Sequence, residues 1–255
     1  MKKITIQDIL QYKKLGNKFA TITAYDFTST QIVEQAGIPL ILVGDSASMV
    51  IYGYNTTIPV SIEEMLLVVN AVTRAARSAL VVADMPFLSY QSSVSDAIKN
   101  AGILIKNGGA GAVKLEGGVQ IKNHIKEIVG FGIPVMGHIG LTPQSVHQMS
   151  GYKIQGKTPK DAQKIIDDAR AVEDSGAFSV VLECIPENLA KEITGKLSIP
   201  TIGIGSGRVC DGQIQVFHDV VGLSKHPAPK HALKQTDTYT TMFKAISTYK
   251  SLVEK

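Results

Sequence analysis

Asp45, Asp84, Glu116 and Glu183 each lie at the end of a short apolar run, and Asp26 and His138 do the same. The runs read FATITAYD to Asp26, LILVGD to Asp45, LVVADMPF around Asp84, AVKLEGG around Glu116, PVMGHIG around His138 and SVVLEC around Glu183. Each is short enough for a buried strand, and a turn and a helical stretch follow it. Polar groups at the trailing ends of successive parallel strands open onto one end of an α/β barrel, where such folds build their active sites. Solubility alone does not require that repeated placement, so the chain reads as an enzyme.

Asp45, Asp84 and Glu116 offer hard oxygen donors, the kind that Mg²⁺ takes beside its waters and a substrate. Each acid alone could be a helix cap or a solvated loop residue; three at strand ends point to a metal site. Val82 and Asp84 share one strand face, and so do Lys114 and Glu116, because side chains two apart point the same way. Lys114 and Glu116 are therefore expected in one cavity. A buried lysine with a depressed pKa forms Schiff bases. Glu116 and a metal-bound anion would instead keep Lys114 cationic, suited to a substrate carboxylate or enolate. A plain ion pair with Glu116 is the third reading.

Glu183 follows Val180, Val181 and Leu182, and burial against apolar surface raises a carboxylate toward the range of a general base. Its structural alternative is a salt bridge at the barrel mouth. His138, between Gly137 and Gly140 in GHIGLTP, is a candidate donor to a developing oxyanion or a structural hydrogen-bonding group. Gly203, Gly205 and Gly207 lack the strand, turn, helix and following acid of a dinucleotide fingerprint; close backbone approach at a barrel rim accounts for them better.

The elements that must position these residues follow from capping and periodicity. Thr28-Ser29 opens a helix ending at Gly37. Ser61 and Glu64 form a capping box ahead of Met65, Val68, Val69 and Val72, and Ser93 with Asp96 begins another helix, ending near Gly108. Further helices are predicted over 119–129, 158–175 and 186–197. A seventh strand falls in IPTIGIGSG and an eighth in QIQVFHDVVGL. After Lys225, Pro227, Pro229 and a polar stretch precede a final helix near 239–252. Strand and helix in regular alternation predict an α/β fold, a (β/α)₈ TIM barrel, with residues 1–255 as one domain.

A chain of 255 residues suits one such barrel, and 44% hydrophobic residues supply a large core. The net charge of +4 comes from lysines spread along the sequence, with no basic arm or aromatic-interleaved patch, which argues against nucleic acid. Cys184 and Cys210 have no ligand spacing around them and suit reduced thiols in a cytoplasmic protein. MKKITIQDIL meets Gln7 and Asp8 before an apolar segment forms, so no secretory signal is expected. The longest apolar runs fall far short of the ~20 residues of a membrane helix.

The ordered strings GDS (44–46), ADMPF (83–87), KLEGG (114–118), GHIGLTPQSV (137–146), GYKIQG (151–156), LECIP (182–186), IGIGSG and DGQ (211–213) span nearly the whole chain. Together they resemble the ketopantoate hydroxymethyltransferase family. The resemblance implies transfer of a hydroxymethyl group from 5,10-methylenetetrahydrofolate to 3-methyl-2-oxobutanoate, giving 2-dehydropantoate, in pantothenate synthesis. It also implies Mg²⁺ held by Asp45, Asp84 and Glu116, substrate contacts from Asp45, Ser46, Asp84 and Lys114, and Glu183 as proton acceptor. Members of that family resemble one another in forming cytoplasmic homodecamers built from two pentamers. The segment Ala47-Ser48-Met49, the pair Tyr54-Asn55 and the tail after Lys225 depart from the family's usual pattern. An alternative enzyme is a Mg²⁺-dependent C–C lyase or mutase of 2-oxo acids, which needs a carboxylate-binding arginine; only Arg208 lies near a strand-end motif. A non-catalytic keto-acid sensor has no use for a buried base.

Overall fold

Short β-rich runs alternate with amphipathic segments, and through β7 a helix carries the chain back to the start of the next strand, which selects parallel pairing, while β7 reaches β8 through a loop, residues 205–211. The computed structural model describes residues 2–149, 151–225 and 229–255. Its strands are β1 (Phe19–Thr23), β2 (Leu40–Val43), β3 (Leu80–Asp84), β4 (Ala112–Glu116), β5 (Val135–Gly140), β6 (Ser179–Glu183), β7 (Thr201–Ile204) and β8 (Gly212–Gln215). They pair in sequence order and β8 pairs with β1, closing the expected eight-stranded parallel barrel. The helices are α1 (Ile6–Lys14), α2 (Phe27–Gln35), α3 (Ala47–Val50), α4 (Ile62–Ala75), α5 (Val94–Lys106), α6 (Lys122–Gly130), α7 (Pro159–Asp174), α8 (Glu187–Lys196), α9 (Phe217–Val220) and α10 (Thr238–Val253).

Helix starts follow side-chain capping. Ser61 and Glu64 make the reciprocal box at α4, and Ser93 and Thr158 accept from backbone N–H groups at the starts of α5 and α7. Helix α2 begins at Phe27, ahead of the expected Thr28, because the Asp26 side chain accepts the Ser29 N–H. That cap commits the Asp26 carboxylate to the helix and removes it from the set of mouth acids. The expected helix over 119–129 divides into a 3₁₀ turn, Val119–Ile121, and α6. The eighth strand is shorter than QIQVFHDVVGL: the Phe217 N–H goes to Thr23 Oγ1 instead of a strand ladder, and the chain turns into α9. Pro227, in the expected tail, lies outside the described residues. Three helices were not foreseen: α1, with a Thr5–Asp8 capping box, the short α3 after β2, and α9 within the stretch expected as the eighth strand.

Strand alternation sorts side chains into two cores. One lies between the sheet and the helices and includes Ile41, Val43, Val81, Val113, Leu115, Val180 and Leu182. The other fills the barrel interior with Leu40, Leu42, Leu80, Val82, Ala112, Met136, Val181, Ile202 and Ile214, together with Ile9 of α1 and Phe19. Continuing the interior rows toward the strand ends gives Asp84 two after Val82, Lys114 and Glu116 after Ala112, His138 after Met136 and Glu183 after Val181. Apolar layers thus floor a polar layer at the C-terminal mouth. Helix α10 buries no residue, and Tyr239, Met242, Phe243, Ile246 and Tyr249 all stand exposed on it.

Candidate active site

The register sets the acids side by side. Asp84 is level with Lys114, Glu116 with His138, and Gly140 with Glu183 on successive neighbouring strands. Lys114 Nζ lies 2.9 and 2.8 Å from the two Asp84 oxygens and 3.5 Å from Glu116 Oε1. Asp84 Oδ2 also accepts the Asp45 backbone N–H at 3.1 Å, which ties the turn after β2 to the end of β3. His138 bridges two strands: Nδ1 is 3.3 Å from Glu116 Oε1 and Nε2 is 3.2 Å from Glu183 Oε2. Neither ring nitrogen makes a well-aligned hydrogen bond, so the pairing is chiefly electrostatic. Gly140 permits the close approach of β5 to β6: a Cβ there would fall 2.3 Å from the Glu183 carbonyl oxygen, and its φ is +92°.

Asp45, Asp84, Lys114, Glu116 and His138 are all buried, and Glu183 is partly exposed. All six, with Ser46, line one cavity of about 810 Å³. The sequence-predicted site residues are therefore brought together at one mouth. Ser46 is held from below by Tyr25, whose hydroxyl is 2.7 Å from its Oγ. Gly205 and Gly207 take positive φ in the turns after β7, as expected of a rim and not of a nucleotide fingerprint.

Four carboxylates face one ammonium and one imidazole, and the imbalance is felt in their protonation. Burial, reinforced by Asp84, pushes Asp45 well above the usual carboxylate range. Burial also raises Asp84, although Lys114 opposes it. Burial would raise Glu116 too, yet Lys114, His138 and the Gln144 N–H hold it below its ordinary value. Burial works to neutralise Lys114, but Asp84, Glu116 and Asp45 prevail and raise it above its ordinary value. A lysine stabilised as a cation is the opposite of what Schiff-base chemistry needs. Burial and Lys114 likewise disfavour the charged imidazole of His138, and Glu116 and Glu183 overcome both, pushing it up to about 9.

Gln144 was missed by sequence reasoning, although it sits in the GHIGLTPQSV string. Its Nε2 donates to Asp45 Oδ2 and to the Met85 carbonyl, each at 3.0 Å, while its backbone N–H donates to Glu116 Oε2 at 3.0 Å. Its Oε1 accepts from Gln91, and the Tyr90 hydroxyl lies 3.0 Å away. One buried amide thus fixes the spacing of Asp45 and Glu116. Among the described residues no three His, Cys, Asp or Glu side chains already stand as a ligand set. The donor chemistry nevertheless fits a hard divalent cation: buried carboxylate oxygens from Asp45, Asp84 and Glu116, in negative excess, beside a cavity with room for substrate.

Comparison with known proteins adds to this geometry. A protein of Carboxydothermus hydrogenoformans named 3-methyl-2-oxobutanoate hydroxymethyltransferase is 52% identical over 249 residues, which cover 98% of this chain and 90% of that protein. One of the same name from Geotalea uraniireducens is 53% identical over 250 residues, covering 98% and 94%. Among solved structures, phosphonopyruvate hydrolase in complex with oxalate and Mg²⁺ superposes with a TM-score of 0.63 at 14% identity, covering 86% of this chain and 82% of that one. Phosphoenolpyruvate phosphomutase from Streptomyces platensis subsp. rosaceus gives 0.64 at 11%, covering 98% of both chains. At such identities the likeness is one of fold. The model of the family described as ketopantoate hydroxymethyltransferase matches residues 3–255, and with relatives above half identity along nearly its full length the chain belongs to that family.

Proposed function

We propose that this chain transfers a hydroxymethyl group from 5,10-methylenetetrahydrofolate to 3-methyl-2-oxobutanoate, giving 2-dehydropantoate and tetrahydrofolate in pantothenate synthesis. The observation that carries this reading is the buried Lys114 cation set between Asp84 and Glu116, with Glu183 beside them in the same cavity. Asp45, Asp84 and Glu116 would hold Mg²⁺, one ion per subunit. When bound, the cation supplies Lewis acidity to the 2-oxo group.

Glu183 takes the proton from C3 of the keto acid, and His138, 3.2 Å from its Oε2, holds that carboxylate in place. The enolate that results carries its negative charge beside a positive residue, and Lys114 supplies that charge without needing to change protonation. Ser46 and Asp84 orient the acid against it. Water opens the methylene bridge, one of its two carbon–nitrogen bonds giving way to a carbon–oxygen bond; the nucleophilic C3 then bonds to that carbon as its second carbon–nitrogen bond breaks, and the two freed nitrogens take up one proton from the water and one from Glu183, leaving tetrahydrofolate.

Residues 1–255 act as one barrel domain, and α10 packs on a neighbouring subunit of a homo-oligomer, a decamer by family resemblance. The five exposed large apolar side chains of α10 support this, and the solution mass checks it. A cytoplasmic setting agrees with the unpaired thiols of Cys184 and Cys210. The test of function is turnover of the two substrates with and without a chelator. Product that forms only with a divalent cation supports the assignment, and absence of product under every metal condition refutes it.

A further inference from the structure

The cavity is larger than the keto acid requires. An acid of eight non-hydrogen atoms occupies at most about 240 Å³ if each is given the ~30 Å³ of a water, against about 810 Å³ available. The surplus opens away from Lys114 and Glu116 toward the end of β8. Gln215 and Val216 line it there, with Asp219 of α9 and His231 of the strap that follows. Gln215 ties that strap to the end of β8, accepting the Leu233 N–H at 3.0 Å.

Asp219 is the unexplained group on this wall. It is half-buried and lines the cavity, and among the described residues its carboxylate makes no hydrogen bond or ion pair. Burial pushes it up and the His231 ring only partly opposes this. The carboxylate's oxygens stay accessible from the cavity, where they are free to accept donors from a ligand. Two parallel N–H donors suit it best, because they meet both oxygens at once, as a guanidinium fork does. The 2-amino-4-oxopyrimidine edge of a reduced folate carries such a pair, on its exocyclic amine and its N3. The apolar side chains of Val216 and Ile154 on the same cavity offer surface for its ring face.

We propose that Asp219 is the anchor for the pterin ring of the one-carbon carrier, accepting the paired N–H donors of its 2-amino-4-oxopyrimidine edge. This rests on the folate-dependent reading above. The test is titration calorimetry of the full-length enzyme with tetrahydrofolate and with its 2-desamino analogue, on the parent and on Asp219→Asn. The parent should bind tetrahydrofolate at least tenfold more tightly than the analogue, and Asp219→Asn should lose roughly 10–100-fold in tetrahydrofolate affinity. The variant should no longer discriminate the two ligands, while its affinity for 3-methyl-2-oxobutanoate stays within about twofold, a range far below the cost of a lost charged contact. A parent that binds both ligands equally overturns the anchor without any appeal to a variant. Equal tetrahydrofolate affinity in parent and Asp219→Asn also overturns it, while leaving the functional reading intact. A parent that neither binds tetrahydrofolate nor turns over with 5,10-methylenetetrahydrofolate refutes the functional reading, and the anchor falls with it.

Discussion

Replacing Lys114 with Met should unbalance the mouth of the barrel more than loss of any one acid. The ammonium is the counter-charge of Asp84, at 2.8 and 2.9 Å, and lies 3.5 Å from Glu116, with all three side chains buried. Removing one partner of a buried pair costs about 3–5 kcal/mol, because the charge left behind has neither water nor a counter-ion. Methionine is close to lysine in length, so a packing void adds little. For a chain of this size each kcal/mol lowers the melting temperature by about 2–4 °C, so the metal-free variant should melt roughly 6–20 °C below the parent. Adding Asp84→Asn removes the orphaned charge, and the double variant should recover part of that loss instead of adding to it. A divalent cation should also raise the melting temperature of Lys114→Met more than that of the parent. A ligand at 100 times its Kd contributes about 2.7 kcal/mol, and in the variant it faces acids with no resident cation. Scanning calorimetry with chelator, then with Mg²⁺, reads all three effects. A metal-free variant melting within about 2 °C of the parent, less than 1 kcal/mol of effect, would refute the argument. So would an Asp84→Asn change that adds its own full cost.

Glu183→Gln should abolish deuterium wash-in at C3 of 3-methyl-2-oxobutanoate, followed by proton NMR, while the acid still binds in the presence of Mg²⁺; exchange at the parental rate moves the base elsewhere. Gln144→Leu leaves Asp45 and the Met85 carbonyl without their donor, and Mn²⁺ affinity measured by electron paramagnetic resonance should fall roughly 10–100-fold. Unchanged affinity would show that the amide does not set the spacing of the acids. His138 is held at about 9 in the folded chain, above its ordinary ~6.5, so the folded state holds its proton more tightly. The resulting stability is complete below pH ~6.5 and is lost as pH rises through about 9, amounting to about 3 kcal/mol at most. In chelator, His138→Gln should flatten the fall of melting temperature across that window; an unchanged slope would mean that other groups cause it.

Most of the framework was legible in the sequence because it rests on local chemistry. Ser61 with Glu64, Ser93 and Thr158 mark helix starts by their own hydrogen-bonding capacity, and the structure uses each of them. The signals failed where a tertiary partner decides the outcome. Phe217 leaves the strand because Thr23, 194 residues earlier, takes its N–H. Asp26 resembled the other strand-end acids until its carboxylate was found on Ser29. Gln144 and Asp219 gave no sequence signal for a related reason. A neutral amide that clamps two acids, and a carboxylate after a half-turn of helix, have roles defined only by what the barrel sets opposite them.

The part of the site that could be read in advance depends on strand register, which makes the register itself the functional determinant. In β4 the interior row is Ala112, Lys114, Glu116, while Val113 and Leu115 pack outward against the helices. A slip of one residue would exchange the rows, sending Lys114 and Glu116 into the apolar layer and Leu115 into the mouth. Both displacements are costly, since each ionised side chain would meet hydrocarbon without a partner. The Asp84–Lys114 and Glu116–His138 pairings therefore help to select the one register in which the outer core is wholly apolar. Charges that burden stability individually thus specify, together with Val113 and Leu115, where every chemical group in the barrel points.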